Sequence, residues 1–364
     1  MKPDRNPAVD LVRAFALIGI AVVNLPFMAL PADTLMPLPD AGPDRIAALA
    51  VELLFQAKFF LLFSFVFGWG LEIQSLQAKR SGASFARRFS RRLAMLALFG
   101  ILHALLVFAG DILCLYALLG LLAWSVKRAS VRGLLAMAAG LLPLAAGCLA
   151  LVAMILAEAP PPPADPNLGG SYFETVLARW RDWPATFAFL VLFQGHLALA
   201  AFLVGMAAAR TGFFDAGNPV AKRLKEATPI LLAGGLAVNL IYVGSSSAEA
   251  TLPAALGMAS LAVGGPLLSA GYLGLILRAA SSLRLPAFVA LAGRNSLTCY
   301  VLQGVLAGLV FGGYGLGLFG DLGQMAILPV SVAIAFLSMA LVATWARRFG
   351  QGPLEWLLRR VTTT

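Results

Sequence analysis

This chain of 364 residues contains two histidines, His103 and His196, and both lie inside long apolar runs. His103 closes the segment Gly100-Ile-Leu-His103, and a few residues on comes Gly110-Asp111-Ile-Leu-Cys-Leu-Tyr116. A carboxylate beside an imidazole fixes its tautomer and raises its basicity, as a general base requires. Asp111 or Tyr116 could orient His103 in this way. Asp111 also precedes an apolar run and so stands where an N-cap belongs, a role compatible with the first. The structural alternative for His103 is an interhelical hydrogen bond. His196, beside Gln194, fits that structural reading better.

Three cations also sit in apolar runs: Arg13, Lys58 and Arg294. An arginine at the centre of a membrane span costs roughly 2.5–3.5 kcal/mol on insertion scales, so such a charge usually has a partner or a use. Asp10 and Arg13 are three apart and share a helix face. Asn24, close to three turns beyond Arg13, falls on nearly the same stripe. The pair either fixes the helix start at the interface or binds an anion. Lys58, in Gln56-Ala-Lys58-Phe-Phe-Leu-Leu-Phe-Ser64, is either half of a structural ion pair or part of a polar path. In Gly293-Arg294-Asn295-Ser296-Leu-Thr298-Cys-Tyr300-Val-Leu-Gln303, the residues Ser296, Tyr300 and Gln303 form one polar helix face. Arg294 and Arg13 together would make a cationic pocket for phosphates or carboxylates. Alternatively, Arg294 neutralises Asp10 or Glu72.

No Walker-type phosphate loop, no HExxH and no paired His/Cys ligands occur, so neither ATP-driven action nor a zinc site is expected. Cys114, Cys148 and Cys299 lie in apolar runs without metal spacing and read as small packing residues.

These side chains must be held by membrane helices. The chain is 60% hydrophobic and only 12% charged, which no soluble domain tolerates. The expected fold is an all-α polytopic bundle of about ten transmembrane helices in a single membrane domain over 1–364. The spans fall at about 9–30, 47–75, 92–109, 111–126, 132–157, 185–209, 228–244, 253–278, 286–311 and 325–346, each near the length a bilayer needs. The second is long enough to tilt or to project from the bilayer. The third and fourth form a tight hairpin at Gly110. The N-terminal run is too long, and too interrupted by Arg13, for a cleaved signal peptide. Of 27 basic residues, 21 fall on the side that holds both termini. Only Arg45, Arg179 and Arg181 fall on the other side. By the positive-inside rule both termini are cytoplasmic. The net charge of +10 is thereby explained without nucleic acid. His103 then lies about two turns below the outer surface, and Lys58 lies near mid-membrane. In the outer loop before the sixth span, Pro160 to Pro163 read as a stiff spacer. The stretch at about 171–183 reads as an amphipathic interfacial helix, either an anchor or a lid over a site.

Taken together, the segments resemble the DUF418, or YeiB-like, family of bacterial integral membrane proteins. They are Asp10-x-x-Arg13 with Asn24; Lys58-Phe-Phe-x-Leu-Phe-Ser64-x-x-Phe-Gly68; Arg91-Arg-Leu with Gly100-x-x-His103; Gly110-Asp-Ile-Leu-x-x-Tyr116; Gly293-Arg-Asn-Ser-Leu-Thr-x-Tyr300-x-x-Gln303; Tyr314-Gly-Leu-Gly; and Gly352-Pro-Leu-Glu-Trp356. They run in order over nearly the whole chain and are specific as a set. The first span is also similar to that of heparan-α-glucosaminide N-acetyltransferases and related transmembrane acyltransferases, with Ala14 where those have glycine. That resemblance implies a membrane-embedded acyltransferase in the bacterial inner membrane. It would move an acyl group from a cytoplasmic acyl-CoA, with no resident cofactor, to a small-molecule, lipid or glycan acceptor at the outer face. The outer-loop histidine of those acetyltransferases has no counterpart in residues 31–45, so His103 would take its place. His103, Asp111 and Tyr116 would be catalytic. Arg13, Lys58 and Arg294 would hold the donor. Asp10, Asn24, Ser64, His196, Asn295, Ser296, Tyr300 and Gln303 would line the polar interior. Apart from membrane lipids and these substrates, no partner is implied. The rival expectation is a transporter or a lipid- or small-anion-binding protein.

Overall fold

An apolar helix that carries charged side chains must be buried among other helices, and the first helix of the computed structural model is buried in this way. Residues 6–31, 34, 39, 41–81, 85–158, 168–245, 251–282 and 286–363 are described; the Pro160 to Pro163 segment lies outside them. Helix α1 (Pro7–Asn24) starts on Asn6, whose side-chain oxygen accepts from the Ala8 amide at 3.0 Å. It runs through the middle of the bundle, continues after Pro26 as the short α2 (Pro26–Ala29), and buries Val12, Ala14, Ala16 and Leu17 completely.

The second span is interrupted. α3 (Gly42–Leu54) and α4 (Phe59–Ser81) are separated by a turn in which Ala57 has φ +61°. No glycine or proline marks the break, so hydropathy reads 47–75 as continuous. α5 (Phe85–Leu106) and α6 (Leu113–Ser125) form the expected hairpin. α6 is about 20 Å long, shorter than the ~30 Å hydrocarbon core. Its far end meets the basic loop at Lys127, so the shortfall is taken up at the Asp111 end. Non-helical backbone at that depth is tolerated only where protein covers it, and Asp111 is fully buried.

α7 (Val131–Glu158) follows, then α8 (Tyr172–Leu190), which opens on a reciprocal Ser171–Glu174 capping box. The expected interfacial helix at 171–183 is the first half of α8, not a separate element. α8 accommodates Pro184, passes through a π turn at Val191–Gly195 and continues as α9 (His196–Arg210). Phe173, Leu177 and Trp180 stay exposed on it. Arg179 turns inward and donates to the Leu106 carbonyl at 2.9 Å, capping the last turn of α5.

α10 (Pro219–Gly244) and α11 (Leu252–Ser282) pair along their length. The ninth span is also broken: α12 (Ala287–Arg294) and α13 (Ser296–Phe311) meet at Asn295. α14 (Gln324–Phe349) ends on Gly350 at φ +83°, and α15 (Pro353–Thr363) folds back. Among the described residues, eight helical stretches are long and apolar enough to cross a membrane, and α6 and α13 are shorter apolar helices. The protein is therefore an all-α polytopic membrane bundle, with no strand among the described residues.

Candidate functional site

Asp111 is where the hairpin and the chemistry meet. Its Oδ2 accepts the Leu113 amide at 2.7 Å and the Cys114 amide at 3.3 Å, capping α6. Its Oδ1 lies 2.9 Å from His103 Nδ1. A carboxylate only accepts, so in the neutral imidazole Nδ1 carries the proton and Nε2 the lone pair. Gly100 makes this possible: a methyl there would sit 2.3 Å from the Cys114 nitrogen and 2.8 Å from Asp111 Oδ2.

His103 Nε2 is buried and has no hydrogen-bond partner among the described residues. It faces Gly304 on α13, where a methyl would come within 2.8 Å. Beside it is a cavity of about 10 Å³ lined by Asn24, His103, Tyr300 and Gln303, with Met28 and Phe108. That is room for about one water-sized group. The Tyr300 ring lies 5.1 Å from the imidazole, centre to centre. Its hydroxyl is buried near Asp111 without an ordinary hydrogen bond. Gln303 donates to the Leu17 carbonyl at 3.3 Å, tying α13 to α1.

Tyr116 is absent from this cavity. Its hydroxyl pairs with Ser64 Oγ at 2.6 Å and donates to the Phe60 carbonyl at 3.1 Å, locking α6 to α4. The ring is packed among Phe63, Phe67 and Phe202. Asp111 therefore orients His103, and Tyr116 with Ser64 holds the helix that Asp111 caps.

A cationic cluster lies about 16 Å down α1 from Asn24. Asp10, only 2% exposed, accepts from Arg294 Nε at 2.8 Å and lies 3.8 Å from Arg13 Nη1. α12 approaches so closely that a methyl on Gly293 would strike the Asp10 carbonyl. Arg13 reaches the Gly70 level of α4. There it comes within electrostatic reach of Arg92, whose Nη1 donates to Gln74 Oε1 at 3.3 Å. Two guanidiniums, those of Arg294 and Arg13, thus share the Asp10 carboxylate, and a third, that of Arg92, stands near Arg13. Glu72 is not the partner of Arg294: it forms a two-point pair with Arg210, at 3.0 Å for each contact. The sequence reading missed Arg92 and Gln74 at this site, because Arg92 reads as one more loop charge. The available signal was that Arg91-Arg92 opens an apolar run that ends at His103.

Lys58 does not join this cluster. It lies about 18 Å along α4 from Gly70 and is 0% exposed. Its ammonium donates to the Glu52 carbonyl at 2.9 Å, at the broken end of α3, where a helix carries partial negative charge. Glu52, whose side chain meets Tyr242, is the nearby counter-charge. The Lys58 carbonyl accepts from Ser269. His196 also stands apart, with Nε2 3.9 Å from Cys148 Sγ.

Asn295 and the C-terminal motif form one joint. Asn295 Oδ1 accepts the Gly352 amide at 2.6 Å. Glu355 caps α13 by accepting the Leu297 and Thr298 amides at 2.8 and 3.1 Å and the Thr298 hydroxyl at 2.5 Å. Ser296, half-buried, opens α13 at this joint. Burial pushes the Glu355 carboxyl above its ordinary range, while the hydrogen bonds from Thr298 and Leu297 pull it down. No group of three or more potential metal ligands occurs among the described residues.

Residues 208–364 match the family described as "Protein of unknown function (DUF418)". Over 99% of its length the chain is 28% identical to the uncharacterised protein YxaH of Bacillus subtilis (strain 168), covering 94% of it. It is 27% identical to the uncharacterised protein YeiB of Escherichia coli (strain K12), covering 96% of it. It is also 28% identical to an uncharacterised 39.9 kDa protein of Bacillus acidopullulyticus, covering 94% of that chain. No solved structure matches. The match over residues 208–364 and the similarity to YeiB and YxaH over nearly the whole chain support a DUF418, YeiB-like family.

Proposed function

We propose that this protein is a membrane-embedded acyltransferase of the bacterial inner membrane with both termini in the cytoplasm. The observation that carries this reading is the His103 imidazole. It is buried, held by Asp111 through Nδ1, and lines the small cavity that Asn24, Tyr300 and Gln303 also line. The Arg13–Arg92–Arg294 cluster at the other end of α1 suits the anionic part of an acyl-CoA. An extended donor would then reach toward His103 over about 16 Å. In the reaction, His103 Nε2 takes the proton of an acceptor hydroxyl or amine as that atom attacks the thioester carbonyl. The C–S bond breaks, and the imidazolium, stabilised by Asp111, returns the proton to the leaving thiolate. The amides of Asn24 and Gln303 and the Tyr300 hydroxyl are the available donors to the developing oxyanion. Purified protein incubated with labelled acyl-CoA should bind it and turn it over in wild type but not in His103→Ala. Absence of binding together with equal turnover in the variant overturns the reading.

The breaks in the second and ninth spans favour a second reading, transport of a small anion, because discontinuous helices form many transporter sites. Gradient-dependent uptake into liposomes without acyl-CoA turnover would select it.

A further inference from the structure

A groove of about 660 Å³ runs between α4, α7, α9, α10 and α11, within the size range of small-molecule sites. It shares no residue with the His103 cavity. Its α7 wall runs from Val131 to Leu142 and its α9 wall from Leu197 to Thr211, about 16 and 21 Å along the helix axes. It therefore extends at least halfway through the ~30 Å hydrocarbon core. The two hydroxyls in its lining are both consumed internally: Ser269 donates to Lys58 and Thr211 to Ala207. The wall thus offers hydrocarbon alone. Leu135 and Val204 are 44% and 38% exposed along its open side, so it is reached laterally from the bilayer.

One end of the groove is charged. Arg132 lies three residues before Leu135 and Arg223 three after Val220, positions that flank the lining stripe of each helix. Both are exposed. Arg210 closes this end by donating to the Lys127 carbonyl at 2.8 Å while pairing with Glu72. A long apolar slot with an exposed arginine three residues from its lining on each of two walls complements a molecule with a hydrocarbon chain and an anionic head. Basic pockets between membrane helices recognise lipid headgroups in this way. We infer that this groove binds one anionic phospholipid from the leaflet on the basic side, with an acyl chain along α7 and α9 and its phosphate between Arg132 and Arg223.

Native mass spectrometry of the purified full chain, supplied with phosphatidylglycerol or phosphatidylcholine of identical chains, tests this. Wild type should retain one phosphatidylglycerol at least tenfold better than phosphatidylcholine. Arg132→Glu with Arg223→Glu should erase that preference, and Val204→Trp, on the exposed edge, should abolish retention of either lipid. Size-exclusion profiles and melting curves identify misfolded variants, for which Leu135→Trp replaces Val204→Trp. Equal retention of the two lipids by wild type overturns the inference. So does unchanged retention by a folded tryptophan variant, or a second copy of the chain occupying the groove.

Discussion

His103 and Asp111 are joined Nδ1 to Oδ1 at 2.9 Å, while the other oxygen of Asp111 caps α6. One carboxylate thus sets both the imidazole tautomer and the start of the next helix. Asparagine caps helices about as well as aspartate, but its single oxygen cannot serve the α6 amides and His103 Nδ1–H together. Asp111→Asn should keep nearly wild-type stability and lose about 10²–10⁴-fold in acyl transfer. Asp111→Ala should lose the same activity and about 0.5–2 kcal/mol of stability as well. Turnover and thermal unfolding of both variants in detergent check this. Equal turnover of Asp111→Asn and wild type removes the imidazole from the chemistry.

The distance along α1 between the arginines and His103 predicts a division of labour. Losing a charged hydrogen bond to a bound anion costs about 1.5–3 kcal/mol. Arg13→Ala and Arg92→Ala should therefore raise KM for acyl-CoA by roughly 10–150-fold with little change in kcat, the pattern of lost uniform binding. His103→Ala should do the reverse. Steady-state kinetics of the three variants decide it, and a fall in kcat for Arg92→Ala at constant KM contradicts the assignment.

Lys58 separates structure from function at the break in the second span. Its ammonium satisfies a helix-end carbonyl and stands near Glu52. Lys58→Met leaves both without that partner and should cost about 1–3 kcal/mol, with KM for acyl-CoA unchanged. A KM that rises alongside that of Arg13→Ala would place Lys58 on the donor path.

Much of this arrangement was legible in the sequence for geometric reasons. The near-integral turn count from Arg13 to Asn24 survives because α1 is unbroken. The His103–Asp111 contact survives because a tight hairpin leaves few alternatives. Tyr116 was misread because its direction depends on how α6 rotates against α4, which period alone does not encode. The break at Ala57 was invisible because it carries no glycine or proline; the Lys58–Glu52 contact and the packing of Ser269 hold it. The continuity of α8 into α9 was hidden by Pro184, which normally ends a helix. Arg92 was masked by the rule that made the topology readable: where basic residues crowd one side, a half-buried member looks like the rest. The link between the Gly293–Gln303 and Gly352–Trp356 motifs is purely tertiary.

That link gives a prediction about pH. Burial raises the Glu355 carboxyl above its ordinary range, near 4.3 in an unfolded chain. The folded state then binds the proton more tightly than the unfolded one. The stabilisation from this difference is complete below the unfolded value and is lost as pH rises through the raised folded value. Glu355→Gln cannot titrate, yet its oxygen can still accept the Leu297 and Thr298 amides. The variant should therefore be similar to or less stable than wild type near pH 4 and gain relative stability as pH rises toward 7. Glu355→Ala leaves those amides uncapped and should lose about 1–3 kcal/mol across the range. Melting temperatures of the three proteins from pH 4 to 8 test this. A Glu355→Gln curve that runs parallel to wild type shows that the carboxyl is not raised. A relative gain toward acid shows that the hydrogen bonds from Thr298 and Leu297 outweigh burial and hold it ionised.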